Sequence, residues 1–123
     1  MTYHPEHFTV WAEIPVTDLD KATAFYEAVF ETELKRNDMG PNPIVDFQTK
    51  GGMGVAGHLY PGVPAARGSG PTVHLSVQGL EAAIERVKAA GGTVVSPPIE
   101  IPPGRFAYCE DLDGNSLGLF EAK

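Results

Sequence analysis

The stretch Ile14-Pro-Val-Thr-Asp-Leu-Asp20 returns 61 residues later as Leu75-Ser-Val-Gln-Gly-Leu-Glu81. The two stretches share few identities, but their apolar and polar positions agree. At the same offset Ala22 lies over Ala83, and near the end of each half Gly57 lies over Gly118. An internal repeat at a fixed spacing indicates two copies of one structural unit. The chain is therefore predicted to contain two similar halves.

Each half shows the same order of elements. The stretch 8–16 alternates apolar and polar residues as a strand does, and Thr17 and Asp18 are good N-cap residues for a following helix. The apolar stripes of the two helices are Leu19, Ala22, Tyr26, Val29 and Phe30, and Leu80, Ala83, Ile84, Val87 and Ala90. Three shorter strands are predicted after each helix, near 32–36, 44–49 and 53–60, and near 93–95, 105–110 and 116–121.

Three stretches follow this order of elements closely: 13–30 (EIPVTDLDKATAFYEAVF), 89–95 (AAGGTVV) and 104–121 (GRFAYCEDLDGNSLGLFE). They resemble the vicinal oxygen chelate (VOC) superfamily, which includes glyoxalase I, bleomycin-resistance proteins and extradiol dioxygenases. The resemblance implies an α+β fold of two βαβββ modules, with mixed curled sheets and a helix on the outer face of each sheet.

We expect one domain of this type over residues 1–123, a length typical of a single domain. The first module is placed at about 7–60 and the second at about 72–121. The linker 61–71 between them is rich in Pro, Gly and Ala.

In this superfamily each sheet lines a cavity with the face that its helix leaves open. The helix must cover the apolar face, so strand alternation points Trp11 and Glu13 of the first strand into the cavity. The same alternation points His74 inward in the second half, and the last strand of each half follows the same rule. The ligand-binding residues predicted in this way are Trp11, Leu59, Thr72, Ser76 and Phe120.

Metal-dependent members of the superfamily take one ligand from the first and one from the last strand of each half. With the 61-residue offset, these four positions hold Trp11, Gly57, Thr72 and Gly118. Divalent metals prefer imidazole, carboxylate or thiolate ligands, and none of the four residues supplies one. We therefore predict no metal and no other cofactor. A shift of the first half by one residue would place His58 at the second position, but this shift breaks the constant offset.

Glu13 and His74 occupy equivalent positions in the two halves. If a pseudo-twofold axis relates the halves, these side chains face each other from opposite walls of one cavity. A carboxylate beside an imidazole is a natural acid–base pair, which can move a proton next to a substrate carbonyl. Glu13 and His74 are therefore the candidate catalytic residues. Two alternatives stay open, because the pair could also bind a ligand without chemistry or have only a structural role.

Composition limits the partners and the location. The chain has 9 Lys or Arg against 16 Asp or Glu, which gives a net charge of −7. Such a surface repels phosphate backbones and anionic lipids, so neither nucleic acid nor a membrane is expected as a partner. The polar stretch 1–8 does not resemble a signal peptide. The one cysteine, Cys109, excludes an internal disulfide, is expected to be a buried strand residue, and suits a cytoplasmic location.

Three functions are compatible with these patterns. The first is a metal-independent lyase or isomerase, with Glu13 or His74 as the base. The second is a binder that sequesters a small molecule, as bleomycin-resistance proteins do. The third, a metal-dependent glyoxalase-like lyase or dioxygenase, is disfavoured by the four unsuitable ligand positions. Small relatives often complete the cavity by pairing two chains, so a homodimer that binds a small-molecule ligand is expected.

Overall fold

The first module follows the predicted order of elements. The computed structural model describes residues 2–123. Its first half contains β1 (Trp11–Val16), α1 (Leu19–Phe30), β2 (Lys35–Asn37), β3 (Ile44–Asp46), a short 3₁₀ helix (Lys50–Gly52) and β4 (Ala56–Pro61). The strands form a sheet in the order β1-β4-β3-β2, in which β1 runs parallel to β4. Parallel pairing places the first strand of the module directly beside its last strand.

The second module repeats this arrangement with one additional strand. It contains β5 (Val73–Ser76), α2 (Leu80–Ala89), β6 (Thr93–Val94), β7 (Ile99–Ile101), β8 (Gly104–Glu110) and β9 (Ser116–Ala122). The sheet order is β5-β9-β8-β6, and β7, which was not predicted, pairs with the first part of β8. The α+β fold of two βαβββ modules is thereby confirmed.

Helix α1 begins where the sequence predicts. The side chain of Asp18 accepts a hydrogen bond from the backbone N–H of Lys21 at 3.0 Å, which caps the first turn. The helix ends at Glu31, whose backbone is left-handed with φ of 50°. Between these ends, the buried stripe consists of Ala22, Phe25, Tyr26 and Val29. These side chains pack against one face of the first sheet, so the helix leaves the opposite face of that sheet open.

One apolar core extends through both modules. Helices α1 and α2 pack against each other as well as against strands of their own sheets. Core side chains that are at most 2% exposed come from both halves: Ile14, Val16, Tyr26, Leu59, Leu80, Val87, Leu117 and Leu119. Burying one such aliphatic side chain contributes about 1.5–3 kcal/mol to stability. The helices and the apolar faces of both sheets therefore stabilise each other.

A buried polar contact ties the second module to the first. Asp111, at the end of β8, is 3% exposed and accepts a hydrogen bond from the Tyr26 hydroxyl at 2.7 Å. It also accepts the backbone N–H groups of Asp113 and Asn115, and the Asn115 amide donates to the Pro15 carbonyl at 2.8 Å. Burial, and then the adjacent carboxylate, raises the pKa of Tyr26 well above its ordinary value. The turn that contains Asp113 is thus fastened to the first module.

The last strands of the two modules differ in register by one residue from the 61-residue repeat. His58 is the cross-strand partner of Glu13, and Gly118 is the partner of His74. Since Glu13 and His74 are equivalent, His58 corresponds to Gly118, which lies 60 residues later. The constant offset therefore holds for the first strands and the helices but is wrong for β4 and β9.

This register reverses the predicted orientation of Leu59. Leu59 corresponds to Leu119, and both side chains are 0% exposed within the core. The prediction that Leu59 faces a ligand cavity is therefore wrong, because side chains alternate and a one-residue shift exchanges the two faces. His58 takes the position on the open face that the repeat had assigned to Gly57.

Cys109 on β8 is 1% exposed, as expected for a buried strand residue. Burial, and to a lesser degree Asp111 and Glu110, raises the pKa of its thiol to about 12. In the unfolded chain the thiol has a pKa of about 8.5, so it loses its proton at a lower pH than in the folded protein. Between that pH and about 12, this difference lowers the free energy of unfolding by up to about 1.4 kcal/mol per pH unit. Below pH 8.5, both states keep the proton and the contribution is constant.

In Cys109→Ala, which removes the thiol, we expect the free energy of unfolding to fall less steeply as the pH rises. Urea unfolding of the parent protein and the variant at pH 7, 9 and 10 measures the two slopes, and all other groups titrate equally in the two proteins. Parallel curves for the two proteins would contradict the prediction.

Candidate functional site

The open face of the first sheet carries a cluster of Trp11, Glu13 and His58. Trp11 and Glu13 alternate with the buried residues of β1, and His58 lies opposite Glu13 on β4. The Trp11 indole donates its Nε1–H to His58 Nδ1 at 2.9 Å, and His58 Nε2 lies 3.2 Å from Glu13 Oε2. Tyr60, two residues further on β4, places its ring edge-on to the imidazole at 6.0 Å. Trp11 and Glu13 thus lie on the predicted face.

The members of this cluster differ in their access to solvent. The His58 side chain is 12% exposed, whereas the Glu13 side chain is 65% exposed. Trp11 is 47% exposed, an unusually large fraction for an indole. A molecule that approaches this face therefore meets the carboxylate and the indole first, and the imidazole supports them from beneath.

The open face of the second sheet carries a cluster of aromatic rings around His74. Its imidazole lies edge-on to Phe106, Tyr108 and Phe120, with ring centroids 5.2, 5.9 and 6.4 Å away. Gly118 makes room for this imidazole, because a Cβ at that position would overlap the His74 ring. Phe120 thus lies where it was predicted, on the same face as His74. Phe106 and Tyr108 were missed, although their alternation along β8 points both to one face.

The remaining predicted residues of the second module lie at the edge of this cluster. Thr72 shares a 2.6 Å hydrogen bond with the hydroxyl of Ser116, and Ser76 is exposed at the end of β5. Both hydroxyls are accessible from the side of the sheet on which His74 lies. They offer small polar contacts beside an apolar, aromatic surface.

The structure does not bring the two candidate catalytic residues together. Glu13 Oε2 lies 3.2 Å from His58 Nε2, whereas His74 contacts aromatic rings of its own module. Across residues 2–123, no ion pair joins Glu13 to His74. The contact predicted between them is therefore not made within one chain, and a pairing between two chains stays a prediction.

A cavity of about 470 Å³ lies between α1 and β5. Small-molecule pockets typically measure about 300–1,000 Å³. Three aromatic rings line it, those of Tyr26, Phe30 and Phe47, and two of the predicted site residues, His74 and Ser76, reach it from β5. The cavity adds apolar space next to the second cluster.

The residues at the four metal positions of the superfamily do not fit a divalent metal. With the corrected register these positions hold Trp11, His58, Thr72 and Gly118. His58 is the one usual ligand among them, and its Nδ1 already accepts the indole N–H. Indole N–H is a donor only, and glycine has no side chain. Within the described part of the chain, no group of three or more His, Cys, Asp and Glu side chains could hold a metal ion.

Comparison with known sequences identifies the family. Residues 6–119 match the model of the Glyoxalase/Bleomycin resistance protein/Dioxygenase superfamily. The chain is 30% identical over 106 residues to CFP32 of Mycobacterium tuberculosis, covering 85% of this chain and 40% of that protein. It thus spans about two fifths of that relative. It is also 30% identical over 115 residues to a glyoxylase-like domain-containing protein of Didymella fabae, covering 87% of this chain and 88% of the relative.

Solved structures with the same fold include a glyoxalase/bleomycin resistance protein from Albidiferax ferrireducens, with a TM-score of 0.73, 21% identity, and coverage of 95% of this chain and 100% of that chain. The fosfomycin resistance protein FosX from Listeria monocytogenes gives a TM-score of 0.71 at 20% identity, with coverage of 98% and 94%. None of the helices within residues 2–123 has the length and apolarity needed to cross a bilayer. The family match over 6–119 shows that the chain belongs to the Glyoxalase/Bleomycin resistance protein/Dioxygenase superfamily.

Proposed function

We propose that this protein binds a small organic molecule on the open faces of its sheets, without a divalent metal. The observation that carries the proposal is the pair of clusters on these faces, a carboxylate with an indole on one and an imidazole among aromatic rings on the other. Aromatic walls with a few polar groups are typical of small-molecule sites. The unsuitable metal positions favour chemistry by side chains alone.

The reaction that suits these groups is a lyase or isomerase step next to a carbonyl. Glu13 is accessible and ionisable, and a carboxylate can remove a proton from the carbon beside a carbonyl group. The alternative base is His74, because a neutral imidazole can accept a proton. Either group must lie within reach of the proton on the carbon beside the ligand's carbonyl.

Sequestration without reaction is the second candidate function. The rings of Phe106, Tyr108 and Phe120 surround His74, and such a surface can hold a flat ligand by stacking alone. A binder needs this surface but no proton acceptor. The two functions therefore make different demands on Glu13.

We further propose that two chains form a homodimer. Trp11 and the Glu13 carboxylate are open to solvent in one chain, although their cluster is the richest in polar groups. A second copy that laid its second module over the first module of its partner would enclose the ligand and bring Glu13 towards the partner's His74. Light scattering on the purified protein is expected to give twice the mass of one chain. A monomer at micromolar concentration would contradict this part of the proposal. A reduced single thiol also suits a cytoplasmic location.

The experiment on function begins with metal analysis and a thermal-shift screen of the purified protein. We expect no stoichiometric nickel, zinc or iron, and a raised melting temperature with an aromatic acid, a thiol conjugate or an antibiotic, because a ligand of the native state stabilises it. The compound found is then tested for turnover with Glu13→Gln and His74→Ala.

The two functions predict different results for these variants. Loss of turnover with unchanged affinity supports catalysis, whereas loss of affinity without any turnover in the parent protein supports sequestration. A stoichiometric metal bound at the first and last strands would overturn metal-independent action.

A further inference from the structure

We propose that Trp11 and His58 form a hydrogen-bonded relay that positions Glu13 as the proton acceptor of the first-module face. Trp11 and His58 are then positioning residues, and Glu13 is the group that meets the ligand. The inference rests on the proposed function for the ligand, but the relay is a property of the chain alone.

The chemistry of the three groups fixes the direction of the relay. An indole nitrogen only donates, so His58 Nδ1 must be the acceptor of the 2.9 Å bond from Trp11. Neutral imidazole carries one proton, which is therefore on Nε2, the nitrogen that lies 3.2 Å from Glu13 Oε2. Protonation of Nδ1 would place two donors face to face. The relay thus selects one tautomer of His58 and ends on a carboxylate.

Other charged groups on this face are engaged elsewhere or lie further out. Asp46 on β3 is the cross-strand partner of His58, and its Oδ2 accepts the side-chain amide of Asn37 at 3.2 Å. Lys35 on β2 is the partner of Asp46 and is exposed. The other titratable group beside the imidazole is Tyr60, whose ring lies edge-on to it. His58 therefore has Glu13 as its direct carboxylate partner.

The relay leaves the second oxygen of Glu13, Oε1, to meet the ligand. Glu13 Oε2 lies 3.2 Å from His58 Nε2, and the Glu13 side chain is 65% exposed. The ligand class that fits is one presenting an O–H, an N–H or a carbon-bound hydrogen beside a carbonyl. In a proton transfer from such a carbon, Oε1 takes the proton and the electron pair of the C–H bond stays on the ligand as an enolate.

The test reads the tautomer directly, without a ligand. In the intact, ¹⁵N-labelled protein at pH 8, long-range proton–nitrogen spectra are expected to show His58 with a proton on Nε2 and none on Nδ1. Trp11 is the one tryptophan of the chain, so its indole N–H signal is assigned at once and is expected to be shifted by the bond. In Trp11→Phe, which keeps a ring but loses the donor, His58 should show a mixture of tautomers.

His58→Gln and His74→Ala provide the matched comparison. The Trp11 N–H signal is expected to move in the first variant and to stay in place in the second. A proton on Nδ1 of His58 in the parent protein, or an indole signal that ignores His58→Gln, would overturn the relay. If the relay is observed and no compound binds in the screen, the relay stands and the proposed function fails, so the two results are separable.

Discussion

Asp111→Ala is expected to lower the free energy of unfolding by about 3–5 kcal/mol, because each buried donor left without its acceptor costs about 1–3 kcal/mol. The Asp111 carboxylate accepts the Tyr26 hydroxyl, the backbone N–H groups of Asp113 and Asn115, and the Asn115 amide. These donors also hold the turn against the first module. Urea unfolding at pH 7, followed by circular dichroism, measures the change.

Tyr26→Phe is the matched control for this prediction. It removes one donor of the same cluster and keeps the ring, which stacks on Phe30 with centroids 5.9 Å apart. We expect a cost of about 1 kcal/mol, since a single hydrogen bond is lost and Asp111 keeps its other partners. Equal costs for the two variants would show that the phenol, and not the turn, accounts for the stabilisation.

Gly57→Ala is expected to cost about 3 kcal/mol, at the upper end of the effects of overpacking. A Cβ at Gly57 would overlap the backbone carbonyl of Ala12, which is its partner on the neighbouring strand. The carbonyl is held in the parallel pairing of β1 with β4, so it can move only if that pairing is disturbed. Thermal unfolding should show a clearly lowered midpoint.

Gly118→Ala separates a backbone clash from a side-chain clash. The atoms that its Cβ would overlap belong to the ring of the exposed His74 side chain, and not to backbone. We expect a cost of about 1 kcal/mol together with a displaced His74 ring, visible as shifted imidazole signals in proton spectra. A cost as large as that of Gly57→Ala, with unmoved imidazole signals, would contradict this account.

The elements of the fold were predictable because local signals and the repeat agreed. The Asp18 cap and the apolar stripe of α1 gave its start and its buried side, and both were confirmed. Strand β7 was not predicted, because its three residues lie next to prolines and form a short hairpin with β8 through Pro102 and Pro103. Local propensity carries little information about so short an edge strand.

The open face of the first module was only partly predictable, because one residue of spacing decided it. Trp11 and Glu13 followed from alternation, but His58 was assigned to the wrong face by an offset that fails after the helix. The irregular stretch between β3 and β4, with its 3₁₀ helix, absorbs the difference. A signal for the correct register was present, since an offset of 60 aligns Leu59-Tyr60 with Leu119-Phe120, which agree in residue type and order.

The hydrogen bond from the Tyr26 phenol to Asp111 also makes the two halves unequal. In the repeat, Tyr26 is replaced by Val87, so a protein made of two second halves would bury the aspartate with no phenol to meet it. The two halves share one order of elements, yet the phenol belongs to the first half and the aspartate to the second. Neither half could therefore replace the other without loss of this buried contact.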